Sequence, residues 1–458
     1  MKTVSSMNFS NRSLFQNTFA LLLINYVFID LVRRFFDGSQ ILLLFLDINI
    51  IAIYMVFFVL IKNGKLISKK LIKSALVLSI SAFIIVVLIQ STNQEIPSLL
   101  LTLAGFRTYL LPIPMIAIGY YIASSYKATD YYYLYRLLKL LVYLAVAFAG
   151  LQCLLDLKSL PKFAQIALSP MTPGTHNYGD ELLSLTTSFF ASSKRFASFL
   201  LFSYLIVWGI ARNNGYKMKS FSIIVLLGLV IGGARDSLWL FIGFHLIYYG
   251  RDAFSSRKSL YIIFSIFLPG IIFAYLLYSG LFDAGTRWKF LFATEDMLWG
   301  RIILLFPFLD IDWSNPHLLT GLGLGRYGQE TVLLPSYTET GRHMSYTFFH
   351  SRDFFNRAIS YADSGLTKIT IELGIIGLTI FSTFAVATIS AASKAIFRQQ
   401  NNNLLFSLGF YTLAWLFYIL KAHVFMGNMM MASLFYLSLG YISYNIVNSV
   451  KQKAAISI

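Results

Sequence analysis

The chain has 458 residues, of which 57% are hydrophobic and 12% are charged, and its formal net charge is +17. A soluble domain carries about 25% charged residues, so the composition excludes an ordinary soluble protein and predicts helices packed together in lipid. The single cysteine, Cys153, excludes an internal disulfide and a metal cluster held by cysteines. The basic excess comes without a basic helix, an aromatic sheet motif or a zinc-ligand spacing, so nucleic acid is not an expected partner.

Apolar runs of 18 or more residues recur along the whole chain, each long enough to cross the roughly 30 Å core of a bilayer. We predict spans at residues 14–32, 39–61, 73–91, 103–123, 137–155, 196–211, 220–233, 237–250, 259–280, 365–390, 403–421 and 427–447. The expected fold is an all-α polytopic membrane protein with about 12 transmembrane helices. It forms one integral membrane domain, 1–458, with two large external segments at 156–195 and 281–364, the second containing short helices.

Short basic segments separate alternate spans, and this pattern predicts the orientation of the chain. The segments lie at residues 62–73, 127–139, 212–219, 251–258, 394–398 and 451–453. Positive loops stay in the cytoplasm, so both termini are expected there. The exception is the pair Arg33 and Arg34, which this topology places outside.

Arginine is enriched on the predicted external side, which holds 11 of the 17 arginines but 6 of the 20 lysines. Membrane topology requires positive charge on the inside alone, so the external arginines need another reason. A guanidinium group offers a planar fork of donors that matches phosphate and keeps its charge. We therefore predict an external site for a large anion. The alternative for any single arginine is an anchor that snorkels to lipid headgroups.

Residues 342–360 of the large external segment have the periodicity of an amphipathic helix, with His350 and Arg357 on its polar face. Such a helix lies in the plane of the membrane interface. It either seals the top of the bundle or presents its polar face to an aqueous cavity.

Two further patterns in the same segment resemble nucleotide-binding motifs. The glycine-rich run 321–328 contains a formal GxGxxG, but no predicted strand precedes it and it is expected outside the membrane. A tight turn that presents Arg326 is therefore a better interpretation than a dinucleotide site. The DxD pattern of Asp310 and Asp312 is interpreted as a chance match, and neither a metal nor another cofactor is expected.

Arg107, Arg195 and Arg235 lie at the ends of spans that reach the same predicted external surface. An arginine near the bilayer is costly unless it is paired or hydrated. Pairing of Arg235 with Asp236 is the structural alternative. The functional hypothesis is that the three arginines line a cavity that receives a lipid-linked pyrophosphate.

The order of these motifs resembles the O-antigen polymerase and O-antigen ligase superfamily, over residues 190–390. The matching pieces are Arg195-Phe-Ala-Ser at the start of a span, Gly233-Ala-Arg-Asp-Ser237 at the mouth of the next hairpin, Trp299-Gly-Arg301 and Leu319-Thr-Gly-Leu-Gly-Leu-Gly325 in the large segment, and Asp363-Ser-Gly before Glu372-Leu-Gly-Ile-Ile-Gly377. The resemblance implies a GT-C-like enzyme of the bacterial inner membrane whose active site faces the periplasm.

The resemblance also implies an activity and a set of site residues. A polymerase of this kind is a glycosyltransferase that joins undecaprenyl-diphosphate-linked repeat units, with arginines rather than a metal stabilising the pyrophosphate leaving group. The residues expected to bind the pyrophosphate are Arg195, Arg235, Arg107, Arg326 and Arg357. The residues expected to be catalytic are Arg301, Asp363 as first choice for the general base, and His350 as second choice. Membrane lipids and a chain-length regulator protein are the further expected partners.

Two other functions stay open. The first is a ligase that transfers glycan to a lipid A core or to protein; ligases usually show a His-Asn motif where this chain has Asp363 and Ser364, which disfavours that function. The second is a transporter of lipid-linked glycan without chemistry, which charged residues deep within the spans would favour. The candidate charged residues are expected near span ends or at uncertain depth, and no pair of broken helices with internal symmetry is evident. These candidates are Asp30, Asp47, Lys368 and Glu372.

Overall fold

The computed structural model describes the chain in ranges separated by gaps. These ranges are 9–36, 41–61, 75–92, 99–126, 128–154, 161–168, 176–178, 181–183, 187–233, 235–250, 318–324, 365–398, 402–421 and 428–456. The predicted span 259–280, the predicted amphipathic helix 342–360 and the DxD pattern therefore lie outside the described residues.

The described residues are almost entirely helical. The helices are α1 Phe9–Arg34, α2 Leu44–Ile61, α3 Ala75–Thr92, α4 Leu99–Tyr109, α5 Met115–Ser125, α6 Tyr132–Leu154, α7 Lys162–Leu168, α8 Ser193–Asn213, α9 Lys219–Ile231, α10 Arg235–Gly250, α11 Gly365–Arg398, α12 Asn403–Lys421 and α13 Met429–Ile456. Short 3-10 turns at Ile41–Leu43 and Ala128–Tyr131 precede α2 and α6. In the first large external segment, β1 His176–Tyr178 and β2 Glu181–Leu183 form a small antiparallel hairpin.

The described helices confirm an α-helical membrane protein. Five of them, α3, α6, α8, α11 and α13, are long and apolar enough to cross a membrane, and shorter apolar helices occur in α2, α5, α9 and α12. The count of twelve spans stays a prediction, as does the external position of the large segment 281–364.

Helix α8 is the centre of the bundle. Each residue from Phe196 to Ala211 is buried, and the helix packs against α6, α9, α10 and α12. A helix that is apolar around its whole circumference lies in a protein core or in lipid, and the burial of α8 places it in the core. Trp208 illustrates this burial, because its ring lies edge-on to Phe244 and Tyr248 of α10 at centroid distances of 4.8 and 4.4 Å.

The termini of the packed helices define two distinct ends of the bundle. We call the end where α1 finishes and α8 begins the arginine end. The first turn of α10 and the last turn of α12 meet there, since the Ser237 and Tyr418 hydroxyls lie 2.5 Å apart. At the opposite end, Asn213 at the end of α8 donates to Asn402 before α12 at 3.2 Å. Helix α11 ends next to the start of α12, so α11 begins at the arginine end.

The predicted span 103–123 is not one continuous helix, because the segment is divided into α4 and α5. Residues 110–114 form the break between them, and they contain Pro112 and Pro114. Proline lacks a backbone N–H and clashes with the preceding turn, so two prolines in five residues end one helix and start another.

Helix α11 is also interrupted, at a glycine with left-handed backbone geometry. Gly374 has φ 67° and ψ −170°, which are not helical values. A Cβ at Gly374 would meet the carbonyl of Leu319, so the segment that contains Leu319 packs directly on the backbone at the break. The bundle therefore contains two interrupted helices, which the hydropathy pattern does not predict.

A close helix crossing joins α5 and α13. A Cβ added to Gly119 of α5 would collide with the Leu437 carbonyl of α13, and a Cβ added to Gly440 of α13 would collide with the Ile116 carbonyl of α5. Helices in lipid gain stability from such close backbone approach, and small residues at the crossing make it possible.

We predict that Gly119→Ala lowers the free energy of unfolding by about 3 kcal/mol. This value is at the upper end of the usual destabilisation by an overpacked side chain, because backbone rather than a flexible side chain must move. Gly150→Ala is the matched control, since nothing lies within 4 Å of the added Cβ there. Thermal unfolding of the two purified variants in detergent measures the difference. Equal melting temperatures would contradict the close crossing.

Candidate functional site

Asp30 is a buried carboxylate near the end of α1 that accepts hydrogen bonds from three parts of the chain. Arg33 Nη1 donates to Oδ1 at 2.7 Å, and Arg195 Nη1 donates to Oδ2 at 3.2 Å. The backbone N–H of Ala191 donates to Oδ2 at 2.9 Å. A charge removed from water must be paired and hydrogen-bonded, and Asp30 satisfies this condition with donors from α1, from α8 and from the turn before α8.

Arg34 binds the same turn through carbonyl groups instead of a carboxylate. Its Nη2 donates to Ser188 O at 2.5 Å, to Phe190 O at 2.9 Å and to Thr187 Oγ1 at 3.1 Å. Its Nη1 donates to Ala167 O in α7 at 2.5 Å. The guanidinium group therefore holds the segments before α8 against the end of α1.

The position of Arg195 follows from the way α8 begins. Ser192 is the N-cap, and its hydroxyl accepts the backbone N–H of Arg195 at 3.3 Å. This position is most often occupied by Ser, Thr, Asp or Asn, because their side-chain oxygen accepts a hydrogen bond from a free N–H of the first turn. The first turn holds no acidic side chain, although the partial positive charge of a helix N-terminus favours one.

The arginine cluster, Arg33, Arg34 and Arg195 with Asp30, carries more positive than negative charge. Arg33 and Asp30 are almost fully buried, with side chains 4% and 3% exposed, whereas the Arg195 side chain is 23% exposed. Arg195 is thus the member of the cluster that an external anion can reach. The N-terminus of α8 strengthens the electrostatic attraction of Arg195 for an anion, because the backbone N–H groups there also attract anions.

The structure places the other predicted anion-binding residues as follows. Arg107 donates through Nε to Asp47 Oδ2 at 2.5 Å, so it belongs to a separate ion pair between α4 and α2. Arg235 is the first residue of α10, and its side chain lies outside the described residues. The remaining predicted residues also lie outside them: Arg301, Arg326, His350, Arg357 and Asp363.

A second buried charged group lies where the two interrupted helices meet. Tyr109, the last residue of α4, donates to Glu372 Oε2 at 2.7 Å. Lys368 Nζ lies 3.7 Å from Glu372 Oε1, and both side chains are at most 1% exposed. Both residues lie in the first part of α11, which begins at Gly365, so the expected position near a span end or at uncertain depth stays a prediction. We call Tyr109, Lys368 and Glu372 the break site.

The segment 318–324 packs onto the break in α11 through backbone hydrogen bonds. The N–H of Leu322 donates to Ile371 O at 2.8 Å, and the N–H of Ile375 donates to Leu318 O at 3.0 Å. Gly321 has φ 78° and Gly323 has φ 97°, values that glycine adopts most readily. The predicted turn that presents Arg326 extends beyond the described residues and stays a prediction. This run packs against the helices, because Leu318, Leu322 and Leu324 are buried.

The sequence contains signals for the residues that the prediction missed. Asp30 and Arg33 are three residues apart, and Lys368 and Glu372 are four apart, which are the spacings of facing side chains on one helix. Arg33 and Arg34 stand out as the exception to the charge pattern. Their structural partners are distant in sequence, so the cluster itself could not be assembled from the sequence.

Comparison with known proteins adds no family assignment: no protein-family model and no curated protein matches the chain.

We predict that Asp30→Asn lowers the free energy of unfolding by about 3–5 kcal/mol, the usual cost of removing one partner from a buried ion pair. The amide keeps the shape of the side chain but leaves two arginines without a counter-charge. Denaturant unfolding in mixed micelles measures the effect.

The double variant Asp30→Asn, Arg33→Gln is the control for this charge argument. It should lose less stability than the sum of the two single variants, because residues in one ion-pair network are coupled. Strict additivity would show that Asp30 does not compensate the charge of Arg33.

Proposed function

We propose that the chain is a glycosyltransferase that polymerises undecaprenyl-diphosphate-linked repeat units on the periplasmic side of the bacterial inner membrane. The observation that carries the proposal is the partly exposed Arg195, held at the start of α8 within a cluster of net positive charge. The external topology of the arginine end follows from the positive-inside pattern of the sequence.

The chemistry of such a transfer requires a fixed positive charge beside the leaving group. The acceptor hydroxyl attacks the anomeric carbon through an oxocarbenium-like transition state, and negative charge develops on the pyrophosphate oxygen. Donors that already point to that oxygen stabilise the charge without reorganisation. Asp30 holds the Arg195 guanidinium through Nη1, so this donor group is oriented before the substrate binds.

The proposed general base is Asp363, which accepts the proton of the acceptor hydroxyl, with His350 as second choice. Asp363 precedes α11 by two residues, and α11 begins at the arginine end. Arg301 remains the proposed partner of Arg195 in binding the leaving group. The proposal calls for no metal, because guanidinium groups supply the positive charge.

The break site favours transport of a lipid-linked glycan as a second candidate function. Transporters bind their substrates where helices are discontinuous, and buried ionisable residues there are functional by default. Tyr109 and Glu372 join the two discontinuous helices α4/α5 and α11. Glu372→Gln should then abolish movement of labelled lipid-linked glycan across proteoliposome membranes, whereas a polymerase shows growth of glycan chains.

We predict that Arg195→Ala reduces polymer formation by reconstituted protein about 100-fold or more, the scale of losing one preorganised donor. Arg195→Lys should recover part of the rate, because it restores the charge but not the planar fork of donors. Lys162→Ala is the matched control, since it removes an exposed cation from α7, the helix whose Ala167 carbonyl Arg34 binds. Its rate should equal that of the wild type.

The assay follows the length of glycan made from diphosphate-linked repeat units, with each protein at the same level. EDTA should leave the rate unchanged. Full activity of Arg195→Ala, or activity that depends on added divalent metal, would contradict the proposed role of the arginine cluster.

A further inference from the structure

A large open groove lies at the end of the bundle opposite to the arginine cluster. It has a volume of about 640 Å³ and lies between the first turns of α6 and the turn that joins α8 to α9. The residues that line it are Tyr132, Tyr135, Arg136, Lys139, Leu140, Tyr143, Gly215, Tyr216 and Lys217. We call it the tyrosine groove.

Three of the tyrosine rings that line the groove pack against one another. Tyr135 lies at centroid distances of 6.1 Å from Tyr132 and 5.4 Å from Tyr216. Tyr132 and Tyr216 are also 6.1 Å apart. Tyrosines concentrate at the level of lipid headgroups, where the ring is in an apolar medium and the hydroxyl is hydrated.

Two cations of the groove are held over these rings. The Arg136 guanidinium lies 4.6 Å from the centroid of Tyr132. The Lys139 ammonium lies 5.6 Å from Tyr135 and 5.7 Å from Tyr143. Cation–π contacts orient a charged side chain without neutralising it, so both groups keep their charge for a ligand.

The charge of the groove is positive throughout its lining. Arg136, Lys139 and Lys217 supply three cations, and no carboxylate is among the residues that line it. Tyrosine hydroxyls stand beside the cations as additional donors. This set of donors fits a phosphate group.

An exposed apolar surface begins where the groove ends. Leu140 lines the groove and is 54% exposed, and Leu144, one turn further along α6, is 42% exposed. On the neighbouring helix α9, Ile223 and Leu227 are 57% and 52% exposed. The cations therefore lie at the boundary between polar turns and the apolar surface, which is the level of the headgroups.

We propose that the tyrosine groove binds the phosphate headgroup of an anionic phospholipid, whose acyl chains lie along the exposed surface of α6 and α9. Basic pockets between helices at the membrane interface are suited to such headgroups. A free phosphate offers the same anion but no acyl chains, so it would leave the apolar surface uncovered. The site is independent of the arginine cluster and of the proposed activity.

The experiment measures lipid bound to the full-length protein by native mass spectrometry after exchange into nanodiscs of phosphatidylglycerol, cardiolipin or phosphatidylcholine. We expect retention of the two anionic lipids over phosphatidylcholine. Arg136→Gln and Lys139→Gln should each weaken this retention about fivefold, the effect of one cation at a membrane surface. Lys219→Gln is the matched control, because it removes an exposed cation that does not line the groove.

Three results would overturn the proposal. Equal retention of anionic and zwitterionic lipid would show that the groove does not select a negative charge. Equal loss in Lys219→Gln and Lys139→Gln would show general surface attraction instead of a site. Displacement of bound lipid by inorganic phosphate at equal concentration would identify free phosphate as the ligand. Arg136→Lys, which keeps the charge, serves as a second variant if Arg136→Gln does not fold.

Discussion

The arginine end of this protein depends on one buried carboxylate. Asp30 is the counter-charge of both Arg33 and Arg195, which belong to different helices. Neither arginine could be enclosed at low cost without it, since an unpaired charge in a membrane bundle is expensive. Arg34 also joins the end of α1 to the turn before α8, because it donates hydrogen bonds to the carbonyl groups of that turn. The end of α1 and the start of α8 are therefore positioned by polar contacts, although most of the bundle is apolar.

This arrangement leaves a surplus of positive charge at a surface that the charge pattern of the sequence predicts to be external. The surplus is concentrated on Arg195, which has both a fixed orientation and access to solvent. The break site, in the first part of α11, provides a different property, which is an interrupted helix. There, backbone hydrogen bonds from the segment 318–324 replace those that the helix loses at Gly374. An enzyme that stabilises a leaving group needs an oriented and accessible positive charge, and a transporter would use an interrupted helix.

Hydropathy and charge predict much of the scaffold but little of its internal pairing. The predicted spans 14–32 and 196–211 fall within α1 and α8. The position of Arg195 was predictable because it immediately precedes such a span. The ion pair of Arg107 with Asp47 was not predictable, because the two residues are 60 positions apart and such a contact leaves no local pattern in the sequence. The break at residues 110–114 was visible as two prolines, yet hydropathy averages over it.

The most direct test of the central claim is the affinity of the purified protein for a short-chain prenyl diphosphate, measured by calorimetry. If the arginine cluster binds the leaving group, the diphosphate binds more tightly than the corresponding monophosphate. Arg195→Gln should then weaken binding of the diphosphate about tenfold or more, the value of a charge-assisted hydrogen bond. Equal affinity of the wild type and Arg195→Gln for the diphosphate would contradict the account.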